Sequence, residues 1–328
     1  MHGSRLLLTG ATGFVGTHLL ESIRHARVRT GADVRVVAPV RVPGRLHARL
    51  PWTKDAPWLE VVQGDVRWFA MPPGAIDLAI HAANTASPSE IDADADGIAR
   101  MVIEGSVRTH ALAAAAGARR MLQLSSGSVH GSHFTPSAPI AENDPGEPRG
   151  NSPAERLARG KRDAEQSLLD VSGESNGPAV VFARGFALAG PWLPLDAAFA
   201  FGNFIGAAMR GEPVVVSGDG TPVRSYLYSG DLVAWLWTLL LKGTGGRAYN
   251  VGSARAVTIG ELAHRVAALL GTSVEVMGVP VPGARAHYHV PDLTRVKSEL
   301  GLEETVPLND QIVRTAKWWK ETKTQRPL

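Results

Sequence analysis

The chain has 328 residues, enough for a large α/β domain with a smaller companion; its 34 basic and 31 acidic side chains leave a net charge of only +3. No long basic run marks a nucleic-acid track, and the slight excess of cations suits an anionic small ligand. Cysteine is absent, which excludes disulfides, thiolate catalysis and cysteine-based metal sites.

The N-terminus, Met-His-Gly-Ser, runs directly into an apolar strand with no signal-peptide core. Arg5 to Thr9 is that first strand, and Phe14, Val15, Leu19, Leu20 and Ile23 then recur at helical spacing. Val34 to Ala38, Leu59 to Val62 and Leu78 to Ile80 read as three further strands, in the short buried runs that parallel sheets use. An alanine-rich helix ends near Ala116, followed by strand Met121 to Ser125; a helix around Lys161 precedes strand Ala179 to Arg184. This alternation predicts an α/β fold, a doubly wound parallel Rossmann sheet.

After Arg184 the rhythm breaks. Residues 190 to 225 are rich in Gly and Pro, Ala248 to Val251 reads as a late strand returning to the sheet, and Thr258 to Leu270 as an amphipathic helix. The expected division is a dinucleotide-binding domain of residues 1–184 plus about 231–252, and a smaller C-terminal substrate lobe of about 185–230 and 253–328. The most apolar late stretch, Leu232 to Leu241, has only about half of the roughly 20 residues that span a bilayer. A cytoplasmic protein without membrane or nucleic-acid partners is therefore expected. His287 and His289 have the i, i+2 spacing of a strand or loop, and no metal is expected.

The stretch "LLLTGATGFVGTHLL" places Gly10, Gly13 and Gly16 in a GxxGxxG turn between the first strand and its helix. Residues without a Cβ let the backbone approach a pyrophosphate, and the helix N-terminus supplies N–H groups and a favourable dipole. No Gly-Lys-Ser/Thr follows, so this is not a Walker A loop.

These residues, together with "GDVR" (Gly64 to Arg67), "HAAN" (His81 to Asn84), "SSGSVHG", "LARGKRDAEQ", "ARGFALAGP", "RSYLYSGDL" and "YNVGS", resemble the NAD-dependent epimerase/dehydratase family of extended short-chain dehydrogenases/reductases. The resemblance runs nearly end to end. It implies a Rossmann fold, a bound NAD or NADP, action on nucleotide-linked sugars, and a homodimer formed through the helices around residues 96 to 116 and 153 to 171. By the same resemblance the cofactor would meet Gly10, Thr12, Gly13, Phe14, Val15 and Gly16, then Asp65 and Val66, and finally Ala82, Ala83 and Asn84. Asp65 would bond the adenine amino group or serve as a turn aspartate. At the end of the second strand, where an acidic residue would hold the ribose of NAD, the chain has Ala38 and Pro39. Arg41 and Arg45 follow; they either pair with the 2′-phosphate of NADP, giving a lean toward that cofactor, or are solvated loop arginines.

In the family a Ser or Thr, a Tyr and a Lys surround the nicotinamide. The matching positions here are Ser126, Leu157 and Lys161. A spacing of four puts Leu157 and Lys161 on one helix face, but leucine carries no exchangeable proton. The family's relay asparagine is Val102 here, so two groups of the proton path are missing together. Lys161 is thus read first as a ribose ligand, Ser126 as the group that orients the reacting oxygen or as a turn cap, and His130 as a substitute relay or a buried structural histidine. Gly127 and Ser128 follow Ser126 where dehydratases and decarboxylases carry acids, so neither of those reactions is expected.

On the substrate side the resemblance singles out Arg224, otherwise a surface salt-bridge residue, and Asn250 for a nucleotide diphosphate, and Asn203 for a lid contact, each Asn being otherwise a turn or cap residue. Thr85, Ser126, Ser128, Leu157 and Tyr288 complete the substrate-side set; the family's Asn before Gly-Pro is Ala187 here. Three functions follow: an atypical epimerase or ketoreductase with a non-standard proton relay; a non-redox enzyme of specialised metabolism (cyclisation, elimination or isomerisation) using the same cleft; or a non-catalytic dinucleotide-binding or regulatory protein.

Overall fold

Leu6, Leu7 and Leu8 are completely buried in strand Ser4–Thr9, the environment of a central parallel strand covered by helices on both faces. The computed structural model describes residues 2–83, 88–135, 137–174, 177–196 and 199–325. Strand Ser4–Thr9 pairs in parallel with Val34–Val40 on one side and Leu78–His81 on the other. Leu59–Gln63 extends the first side, and Arg120–Ser126 the second, also in parallel. Ala179–Gly185 and then Ala248–Val251 complete a seven-stranded sheet. The chain therefore starts near the middle of the sheet and winds outward both ways, which is the doubly wound α/β architecture expected. Each predicted strand of this sheet is present, extended by a residue or two at its ends except for Ala248–Val251, which matches as predicted.

Helix Phe14–Thr30 buries His18, Leu19, Leu20 and Ile23 and stops at Gly31 in the left-handed conformation. Leu7, Val37, Phe69, Met121, Val180 and Phe182 belong to one buried cluster of the sheet and its cover. The alanine-rich helix is Ala95–Ala115, capped by Asp94 through the Gly97 N–H, and the lysine helix is Pro153–Glu174.

The chain divides into two units. One comprises Met1–Val129, Pro148–Arg184 and Val233–Tyr249, the other His130–Glu147, Gly185–Leu232 and Asn250–Leu328. The segment 130–147, assigned from the sequence to the dinucleotide domain, joins the second unit for a physical reason. His133–Phe134 pairs antiparallel with His287–His289, and Ile140 accepts from the Asp292 N–H and donates to Val290. Such pairing across 150 residues of chain leaves no local trace in the sequence.

The second unit holds a four-stranded sheet in the order Val257–Thr258, Val223–Arg224, His287–His289, His133–Phe134. Its helix Ile259–Leu270 starts at a capping box between Thr258 and Glu261 and ends at Gly271, φ +79°, matching the amphipathic helix read from the sequence. No helix among the described residues is long and apolar enough to cross a membrane, and no described cluster of His, Asp or Glu is arranged to hold a metal ion.

Candidate dinucleotide and anion sites

The turn after the first strand is built so that side chains cannot enter it. Gly10 has φ +72°, and a Cβ there would lie 2.4 Å from the Ala82 carbonyl group; a Cβ on Gly16 would lie 2.2 Å from the Gly10 oxygen. The glycines thus draw the helix N-terminus, the turn and the end of strand Leu78–His81 together. Gly13 caps the helix with no side-chain hydrogen bond, and the first turn contains no acidic residue. Its orphan N–H groups and positive dipole end are left for an anion.

Beside this turn lies a cavity of about 110 Å³ lined by Gly10, Thr12, Gly13, Arg41, Asp65, Val66, Ala82 and Ala83, eight of the residues read from the sequence as cofactor ligands. Arg45 is exposed and Phe14, Val15 and Gly16 do not line the cavity; Phe14 packs edge-on against His18 at 4.7 Å. Asn84 and Thr85 lie outside the described residues. Pro39, Val40, Gly64 and Met101 also line the cavity; of these, Val40 and Met101 carry no sequence signal of their own.

Asp65 is held by Arg67, whose Nε donates to Oδ1 at 2.8 Å and whose N–H donates at 3.0 Å. Burial alone would raise the Asp65 pKa, but the Arg67 bonds and the charges of Arg67 and Arg41 outweigh it and leave the carboxyl below its usual value. Asp65 is therefore a fixed anion, with Arg41 the cation nearest to it on the cavity wall. Arg49 went unnoticed in the sequence: at the end of a short helix, its Nη1 donates to the Thr12 carbonyl at 3.0 Å and braces the glycine turn. These features fit a dinucleotide: a turn emptied of side chains, uncapped helix amides, an acceptor for an adenine amino group, and a guanidinium at the ribose end.

The catalytic candidates of the same unit sit on two elements. Ser126 ends strand Arg120–Ser126; its Oγ lies 2.9 Å from Ser128 Oγ and accepts the Ser128 N–H at 3.2 Å. Ser128 thus supports Ser126. Lys161 projects from the lysine helix one turn beyond Leu157, both half-buried. Desolvation lowers the Lys161 pKa to about 8, and no described residue shares a hydrogen bond or ion pair with its ammonium. Val102 is fully buried on the alanine-rich helix. The helix carrying Lys161 is tied down by Arg162, which donates to the Val129 carbonyl, and by Glu165, which receives Nε and Nη2 of Arg184 at 3.0 and 2.6 Å.

His81, read only as part of a motif, is structurally specific. Thr109 gives its own proton to the Gly105 carbonyl at 2.7 Å, so its oxygen accepts from His81 Nδ1 at 2.9 Å, with Thr9 Oγ1 at 3.0 Å. Nδ1 therefore carries the proton, and complete burial holds the imidazole neutral, its pKa pushed down to about 3.

In the second unit, His130 is buried and donates from Nδ1 to the Asp144 carbonyl at 3.3 Å. Asn250 corrects an expectation. Its side chain is completely buried, and its amide nitrogen donates to the carbonyls of Ile140 and Asp292 at 2.8 and 3.1 Å, so it pins two loops instead of offering donors to a diphosphate. Asn203 is exposed on helix Ala200–Met209. Arg224 is half-buried, its pKa lowered by desolvation, and uses one nitrogen, Nη1, on the Val223 carbonyl at 2.8 Å and on His287 at 3.4 Å. Arg224 registers with His289, and Tyr288 with Val223 and His133. Strand alternation then puts Tyr288 on the face opposite Arg224, so these two substrate candidates are not brought together. Tyr226 is buried against Phe201, its pKa pushed up to about 12 by desolvation, which disfavours proton release near neutrality.

The comparisons with known proteins agree with this arrangement. The profile of the NAD dependent epimerase/dehydratase family matches residues 6–252. UDP-glucuronic acid decarboxylase 5 of Arabidopsis thaliana is 28% identical over 310 residues, covering 93% of this chain and 86% of its own. UDP-glucuronic acid decarboxylase 1 of Xenopus tropicalis is 28% identical over 319 residues, covering 97% and 72%. Among solved structures, the UDP-glucose 4-epimerase of Thermotoga maritima with UDP-glucose superposes with TM-score 0.80 at 20% identity, over 97% of this chain and 99% of that one. MoeE5 in complex with UDP-glucuronic acid and NAD gives 0.77 at 25% identity, over 97% and 100%. With the glycine turn, the sheet order and the profile match in agreement, the chain belongs to the NAD-dependent epimerase/dehydratase family.

Proposed function

We propose that the protein is an NAD(P)-binding enzyme that acts on a nucleotide-linked sugar as an epimerase or ketoreductase, with a proton path different from that of its relatives. The observation that carries this reading is the retention of the side-chain-free glycine turn together with Ser126 and Lys161, while the helix face beside Lys161 presents Leu157. A bound nicotinamide would supply hydride acceptance and return. Gly10, Gly13 and the helix amides hold its pyrophosphate, Asp65 accepts from the adenine, and Arg41 offers a guanidinium suited to the 2′-phosphate of NADP. Lys161 binds the nicotinamide ribose. Its lowered pKa still leaves most molecules cationic at neutral pH, as a hydroxyl ligand requires. Ser126, supported by Ser128, orients the reacting oxygen, and water or His130 moves the proton that a tyrosine would otherwise carry.

The similarity to decarboxylases supports the nucleotide-sugar class without transferring their reaction. The residues after Ser126 are Gly127 and Ser128, so no carboxylate stands there. In the second unit, Arg224 is the donor offered to the substrate diphosphate. The helices Ala95–Ala115 and Pro153–Glu174 are the surfaces proposed for a homodimer, and a monomer by light scattering would count against it.

A second reading, non-redox chemistry in the same cleft, is favoured by one observation: Leu157 and Val102 together remove the two proton-handling groups and enlarge the apolar wall. Calorimetry with NAD, NADP and a panel of nucleotide sugars tests the leading reading. It predicts binding of both ligand classes, with the Arg41→Ala variant losing affinity for NADP and keeping that for NAD. Absence of dinucleotide binding contradicts it.

A further inference from the structure

One face of the second unit's sheet carries a row of rings. Phe134 meets His287 edge-on at 5.5 Å, His287 lies 6.5 Å from His289, and His289 stacks on Phe186 at 4.5 Å and 30°. Arg224 stands beside this row, in register with His289 and with Nη1 3.4 Å from His287 Nδ1. Arginine has no acceptor, so where Nη1 donates here it meets an unprotonated Nδ1, sharing its proton with the His287 carbonyl at the same 3.4 Å.

We propose that His287 is a second anion-binding group of the site centred on Arg224, taking up one proton when a diphosphate arrives. The inference rests on the reading of Arg224 as the diphosphate ligand. Without an anion, His287 is kept neutral from every side. Arg224 presents a cation and His289 lies next on the same face; His133, in register with Tyr288 on the other face, adds its charge, His130 lies farther along, and no carboxylate of the described residues bonds the His287 ring. Asp144 is committed to His133 at 3.1 Å and to the Gly146 N–H at 2.8 Å, and Arg285 to the carbonyls of Thr135 and Phe134. Desolvation first, and then the charges of Arg224 and His133, hold the His287 pKa below its ordinary value.

A diphosphate leaves the desolvation in place but outweighs it by reversing the electrostatic cause. It draws the guanidinium toward its own oxygens, which frees Nδ1, and its charge replaces repulsion with attraction, so the imidazolium becomes the stable form and donates to a phosphate oxygen. The proton comes from solvent and no covalent bond changes. His289, stacked on Phe186 and held near pKa 3 by burial, stays neutral and serves as the wall behind the pair.

The test is calorimetry of UDP-glucose binding to the full chain, in buffers of different ionisation enthalpy between pH 6 and pH 8. Both phosphates of this probe are diesters with no titrating proton near neutrality, so any uptake belongs to the protein. The expected result is uptake of about half a proton per ligand near pH 7 and an affinity about five- to tenfold tighter at pH 6 than at pH 8. In His287→Asn the uptake disappears and the pH 6 affinity falls toward the pH 8 value. Binding with no uptake in the natural sequence, which needs no variant to establish, overturns the proposal; so does uptake that persists in His287→Asn. Failure to bind at any pH overturns the reading of Arg224 itself.

Discussion

Leu157 stands one helical turn before Lys161 on the same face of helix Pro153–Glu174, half-buried like the lysine, so an isobutyl group occupies the place from which a phenol would meet the ammonium. The ammonium is already prepared electrostatically, with its pKa lowered to about 8 by desolvation. On the proposed reading, what this face lacks is the proton carrier.

Leu157→Tyr therefore restores a complete Ser, Tyr, Lys set. We expect it to raise the rate of hydride transfer to a bound nicotinamide by up to about 10²- to 10⁴-fold, the usual contribution of a positioned acid or base. The measurement is single-turnover nicotinamide absorbance with a nucleotide sugar. A loss of the natural activity on this substitution would instead show that the leucine belongs to a different reaction.

Glu165 and Arg184 tie the lysine helix to strand Ala179–Gly185 through a nearly buried, forked ion pair with side chains 8% and 15% exposed. Glu165→Ala leaves the guanidinium uncompensated and should cost about 3 kcal/mol, read as a lower urea midpoint. Since Glu165 follows Lys161 by one turn, dinucleotide affinity should fall as well.

His81 makes stability depend on pH in a defined direction. Its folded pKa, about 3, is depressed below the ordinary value near 6.5. Above pH 6.5 both folded and unfolded chains carry the neutral ring, and the full contribution is present. As pH falls below 6.5 the unfolded chain takes a proton that the folded chain refuses, so stability drops until the folded pKa is reached. By pH 5 this loss is about 2 kcal/mol. Urea midpoints at pH 7 and pH 5 check it, and a midpoint that does not fall contradicts the buried neutral assignment.

The dinucleotide half was legible because its information is local. Gly10, Gly13 and Gly16 announce the turn, and the apolar runs announce strands buried on both faces. Asp65 and Ala82 were named through the family resemblance of the GDVR and HAAN motifs, and both line the cavity beside the turn. The second unit was not legible in the same way. That Asn250 spends its amide on Ile140 and Asp292, or that His133–Phe134 pairs beside His287–His289, depends on segments far apart in the chain. Arg49 was missed because a cation ending a short helix has no spacing that points to the Thr12 carbonyl. The family resemblance suggested the diphosphate role for Asn250, and only packing shows that its amide donors are already used.

The central claim is that the dinucleotide cradle is retained for chemistry, while the proton path through the lysine helix has changed. Turnover of a nucleotide sugar measured before and after complete removal of NAD(P), followed by its readdition, tests this most directly. The account predicts that activity vanishes with the dinucleotide and returns with it. Turnover that continues undiminished on the stripped protein would contradict it.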